Sequence, residues 1–151
     1  MDMPALGAQH EILHKLAGSY VGDEVMHPSP WNPEEQNCTG KINARSLDGF
    51  FVISDYEQTM DDKVTFRGHG VYSYDPQADE YKMYWFDSMG GAGCVASGFY
   101  EGNQLTFQST SPMGHHRYRY TFEADHNRFE MAMSQDGENW QTTMEGSYRP
   151  V

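Results

Sequence analysis

Two sets of polar side chains sit among aromatic residues at spacings that could do chemistry. In the first, Asp87 follows Tyr81, Met83 and Trp85 at intervals of two, and His116 precedes Tyr118 and Tyr120 in the same way. Residues two apart share a face of a β-strand, so each polar group lies on an otherwise apolar face. Such groups are the ones that orient a ligand in a mostly apolar pocket, and a carboxylate beside an imidazole could also move a proton. The plainer reading of Asp87 is that it ends its strand and accepts from backbone amides of the Gly90-Gly91 turn.

The second set is Asp55, Glu57, Arg67 and His69, two pairs that flank a turn at Met60 to Lys63. Counted out from that turn they fall near one another. Arg67 could clamp a carboxylate through two N–H groups, and His69 is of the type that titrates near neutrality. Alternation sets them opposite Tyr56 and Phe66, which predicts an ion-pair ladder on the outer face. Gly68 and Gly70, both on one face, signal a bulge, a bend or the close approach of something bulky; a bulge that flips the register would carry Arg67 and His69 inside. The candidate ligand-binding set is therefore Tyr56, Arg67, His69, Trp85, Asp87, His116 and Tyr118.

Other chemistries find little support. His115 and His116 are adjacent and point to opposite faces of a strand, and His10 and His14, one helical turn apart, lack a third local ligand, so no metal site is expected. Cys38 and Cys94 form no C-x-x-C pattern and have no local base, which reads as two reduced thiols. No G-x-S-x-G elbow occurs, and Gly90-Gly91-Ala92-Gly93 lacks the Lys-Ser/Thr of a phosphate loop. No catalytic residue is assigned. Ten methionines suit an adaptable core or a pliable pocket equally well.

The elements that must position these residues follow from periodicity. Gln9 to Ala17 reads as a helix with Ile12, Leu13 and Leu16 on one face and Gly18 ending it. Beyond Gly18 the period becomes two. Tyr118, Tyr120 and Phe122 alternate with Arg117, Arg119 and Thr121, and Trp140, Thr142, Met144 and Tyr148 share a second face. This places a buried His116 beside an exposed His115, with Arg117 and Arg119 in solvent. Gly, Pro, Asn and Asp clusters recur at Leu47-Gly49, Met60-Lys63, Asp75-Asp79, Ser88-Gly93, Glu101-Asn103, Ser111-Gly114, Asp125-Asn127 and Asp136-Asn139, with a longer loop from Pro28 to Gln36. These mark about nine connections and about ten strands. The expected fold is all-β: one domain over residues 1–151, an antiparallel up-and-down barrel in preference to a two-sheet sandwich, with the helix over one mouth or as a plug.

Leu16-Ala17-Gly18-Ser19-Tyr20-Val21-Gly22 resembles the L-x-G-x-W-x-G opening of the calycins, which include lipocalins, fatty-acid-binding proteins and nitrobindins, with Tyr20 in place of Trp. Further stretches, among them Pro28-Ser29-Pro30-Trp31, Asp48-Gly49-Phe50-Phe51, Phe66-Arg67-Gly68-His69-Gly70, Trp85-Phe86-Asp87-Ser88-Met89-Gly90 and Met144-Glu145-Gly146, are similar to an uncharacterised bacterial calycin-like family, a domain of unknown function. The resemblance spans nearly the whole chain and implies a lipocalin-like barrel. It implies no activity. The residues themselves call for no cofactor; similarity to nitrobindins leaves a haem, with His116 or His27 as axial ligand, as an alternative.

Across 151 residues the formal charge is −12, and 14% are aromatic, too many for a disordered chain. The negative charge argues against nucleic acid, membrane surfaces and strongly anionic ligands. Neither a signal peptide nor an apolar span is apparent, so a cytoplasmic location is expected. The expected function is non-enzymatic binding of a small, partly apolar molecule inside the barrel. Two alternatives stand beside it: an enzyme using His116 with Asp87, or His69 with Asp55 and Glu57, and a structural homodimer anchored by Trp31, a residue that could equally fold back as a lid.

Overall fold

The computed structural model describes residues 3–30 and 32–151, so the lid and anchor readings of Trp31 lie outside the described residues. Helix α1 (Ala8–His14) precedes ten strands: β1 (Gly18–Met26), β2 (Gln36–Leu47), β3 (Phe51–Met60), β4 (Lys63–Asp75), β5 (Glu80–Asp87), β6 (Cys94–Glu101), β7 (Gln104–Ser111), β8 (Gly114–Phe122), β9 (Asn127–Ser134) and β10 (Gln141–Pro150). Every strand pairs antiparallel with its neighbours in sequence, and β1 pairs with β10 to close the barrel. Closure leaves no strand edge unpaired. The nine connections fall at the turn clusters read from the sequence. At one of the three two-residue turns, between β3 and β4, Asp61 and Asp62 both take positive φ, 52° and 62°. A two-residue hairpin of this hand matches the right-handed twist of its strands.

Two local expectations are corrected. The helix stops at His14, and Gly18 does not cap it: Lys15, Leu16 and Ala17 donate to carbonyls three residues back, tightening the chain into a turn. Gly18 instead opens β1 with φ 128°. The second correction is at β10, whose register against β9 shifts between Thr142 and Met144. That bulge breaks the alternation, so Met144 and Tyr148 line the interior while Trp140 lies outside, its ring 4.5 Å from the Arg117 guanidinium. Arg117 is consequently half-buried, with a 3.4 Å ion pair to Glu130, and Arg119 is half-buried donating to Thr106 Oγ1.

The helix covers the mouth that holds the β2–β3 turn. Leu13 and Leu16 are buried in one cluster with Val52, Tyr72, Met83 and Phe107, which fills that end of the barrel. His14 Nε2 lies 3.1 Å from the Gly49 carbonyl, and the Tyr81 hydroxyl donates to the Gln9 carbonyl. No helix among the described residues is long and apolar enough to cross a membrane.

Candidate ligand-binding cavity

A cavity of about 370 Å³ remains inside the barrel. Leu16 borders it from the helix side, and Ile42, Met83, Trp85, Phe129 and Met131 supply much of its apolar wall. Tyr56, Gln58, Asp87 and Tyr148 bring polar atoms to it.

Four of the seven candidate residues, Tyr56, Trp85, Asp87 and Tyr118, line this cavity. Asp87 holds the indole in place, accepting from Trp85 Nε1 at 2.8 Å, while its other oxygen accepts from the Met89 amide at 2.9 Å. The expected turn bond is thus present one residue earlier than Gly90. Room for the indole comes from Gly68 and Gly70, whose missing side chains it overlies. Close approach by a bulky ring is therefore the meaning of those glycines.

Arg67 and His69 lie on the outer face. The strand slip in this hairpin falls between Gln58 and Thr59, next to the turn, and leaves Asp55 paired with His69 and Glu57 with Arg67. His69 Nδ1 is 2.7 Å from Asp55 Oδ1 and Arg67 Nε 3.5 Å from Glu57 Oε2. With 47% of the His69 and 72% of the Asp55 side chain exposed, this pair meets bulk water. These side chains border an open outer groove of about 600 Å³ that also touches Lys41 and Phe86.

His116 is on the interior side of β8 in register, yet it does not reach the cavity. It sits two residues after the β7–β8 turn, at the rim, where Ser111 Oγ lies 2.8 Å from its Nε2. Both His115 and His116 are half-buried, so the expected contrast between them is absent. No hydrogen bond joins His116 to Asp87. His27 bonds Glu145 across the outside of β1 and β10 at 2.9 Å. Neither His116 nor His27 is among the residues that line the cavity. Among the described residues, no three metal-ligating side chains come together.

The one buried carboxylate among the described residues is absent from the candidate set. Glu24 is 1% exposed, and three donors converge on its carboxylate. The Tyr56 hydroxyl lies 2.7 Å from both oxygens, Gln58 Nε2 donates to Oε1 at 3.2 Å, and the Tyr148 hydroxyl donates to Oε2. Burial and the Glu24 charge push the Tyr56 and Tyr148 phenols far above their ordinary range, which keeps both protonated as donors. The same two causes, burial first, raise the Cys38 thiol. Gly40 leaves the space that the carboxylate occupies. The alternation that singled out Asp87 carries the signal here too: Tyr20, Gly22, Glu24 and Met26 share a face of β1, and Glu24 is its charged member.

The barrel has counterparts of known structure. Rv2717c from M. tuberculosis superposes with a TM-score of 0.71 at 12% identity, covering 97% of this chain and 99% of that one. The S-type phycobiliprotein lyase CPES from Guillardia theta gives 0.68 at 12% identity, covering 96% and 93%. At such identity the likeness is one of fold alone. No curated protein matches the sequence. Residues 5–150 match the family described as protein of unknown function, DUF1579, and the chain, a closed ten-stranded barrel of calycin type, belongs to that family.

Proposed function

We propose that the protein binds a small, partly apolar molecule inside the barrel without transforming it. The observation that carries this reading is the cavity itself: about 370 Å³ of space in a closed barrel, walled by aromatic and aliphatic side chains with a few oriented polar groups. Protein interiors are otherwise close-packed, and ligand sites are concave, mostly apolar and sparsely polar. A phycobiliprotein lyase built on the same fold is consistent with ligand binding.

The experiment is a screen of fatty acids, retinoids, flavins and haem, read by thermal shift and by quenching of Trp85 emission. A ligand at a hundred times its Kd stabilises a protein by ~2.7 kcal/mol, which for this size raises Tm by roughly 5–10 °C. One class should do so and quench Trp85, with Trp85→Phe losing the quenching. A screen in which no class shifts Tm or quenches Trp85 overturns the proposal.

A further inference from the structure

The cavity's hydrogen-bonding atoms are unequally available. On the wall formed by Tyr56, Gln58, Trp85 and Tyr148 the donors are spent within the protein, whereas Ser54, Tyr118 and Asn127 bring further donors elsewhere on the lining. Trp85 Nε1 is held by Asp87, Gln58 Nε2 and the hydroxyls of Tyr56 and Tyr148 by Glu24, and the Tyr20 hydroxyl by the Ala17 carbonyl. Arg128, at the cavity edge, donates to Glu123. The Tyr72 and Tyr120 hydroxyls, 2.6 Å apart, use one proton on each other and leave one, in the core beneath the helix.

The acceptors are in the opposite condition. A tyrosine hydroxyl has one proton and two lone pairs. Because Glu24 takes the protons of Tyr56 and Tyr148, both of which line the cavity, each phenol oxygen keeps lone pairs with which to accept. Gln58 Nε2 already donates to the Tyr56 oxygen at 3.3 Å, whereas no donor among the described residues meets the Tyr148 oxygen. Asp87 adds a carboxylate on the same lining. Charge points the same way: Glu24 stands behind this wall and Asp87 within it, while Arg128 is 56% exposed and already paired.

We infer that the Glu24–Tyr56–Tyr148 cluster makes the cavity selective for ligands that present an N–H or ammonium donor from an apolar body, with the Tyr148 oxygen as the first acceptor. At this wall a ligand carboxylate would meet two acceptors and two negative charges, and Arg128, the one cation among the described lining residues, is already paired with Glu123. The inference rests on the proposed binding of an apolar molecule, and goes further by stating the polar chemistry that molecule must carry.

Carbazole and dibenzofuran test it. They are planar and neutral with nearly the same shape, and differ in an N–H donor against an ether oxygen, so the −12 charge of the chain favours neither. Loss of one hydrogen bond with a polar group left unpaired predicts that carbazole binds at least about tenfold tighter, read by thermal shift and Trp85 quenching. In Tyr148→Phe and in Glu24→Gln the ratio should fall to within about twofold while dibenzofuran affinity holds. If the wild-type protein binds both probes equally, the donor preference is overturned and cavity binding stands. If the preference survives in both variants, its assignment to this cluster is overturned. If neither probe binds, the inference falls together with the binding proposal.

Discussion

Gly68 lies so close beneath the indole of Trp85 that a Cβ built on it would fall inside the six-membered ring's contact surface. The indole cannot swing away freely, because Asp87 holds its Nε1. Gly68→Ala should therefore cost about 1–3 kcal/mol, the range for overpacking, and lower Tm by several degrees. Trp85 emission should shift as the ring moves. A Gly68→Ala protein with unchanged Tm and emission would show that the indole has room to spare.

Removing one donor from a buried carboxylate is expensive, since the carboxylate remains. Tyr148→Phe leaves Glu24 with Tyr56 and Gln58 only and should destabilise by roughly 1.5–3 kcal/mol in urea unfolding. Tyr74→Phe is the control, because its hydroxyl donates to Asp79 in an exposed pair. The expected loss there is below about 1 kcal/mol.

Alkaline stability should be set by the interior phenols. Burial pushes Tyr72 up to about 12, with the bond from Tyr120 opposing, and burial likewise pushes Tyr81 up to about 12. A phenol raised in the folded state holds its proton longer there than in the unfolded chain. The stabilisation is complete below about pH 10, where both states are protonated, and is lost as pH rises from there through about 12. Urea midpoints should stay level up to about pH 10 and then fall, and phenolate absorbance for these residues should appear only with unfolding. Phenolate signal from all ten tyrosines in the folded protein near pH 10 would contradict it.

Trp140 covers Arg117 on the outside of the barrel, an arrangement that also shields the ion pair with Glu130. Arg117→Ala should red-shift Trp140 emission and destabilise by about 1 kcal/mol, a sum of cation–π and packing losses. Arg117→Lys should restore the ion pair better than the flat contact over the ring.

Arg67 and His69 point away from the cavity. Arg67→Ala and His69→Ala should leave the affinity for dibenzofuran within about twofold of wild type, and alter stability by less than about 1 kcal/mol each. A larger loss of affinity would place the binding site in the outer groove instead.

Strand count, hairpin order and the inward side of each strand over most of the barrel are local properties of the chain. Turn chemistry is local, and a two-residue period reports which face a side chain takes; Asp87, Trp85, Tyr56 and Tyr118 were legible on those grounds. Period two says nothing of depth along the barrel axis, which is why His116, on the correct face, ends at the rim against Ser111. It also fails where one inserted residue resets the alternation, as between Thr142 and Met144, where Trp140 passes to the outside. Glu24 shows the remaining gap. Its place on an inward face was readable, but its partners Tyr56, Gln58 and Tyr148 lie 32, 34 and 124 residues away. Only closure of β10 onto β1 brings the last of them to the carboxylate, because the energy of a buried charge depends on donors gathered across the whole barrel and not on the strand that carries it.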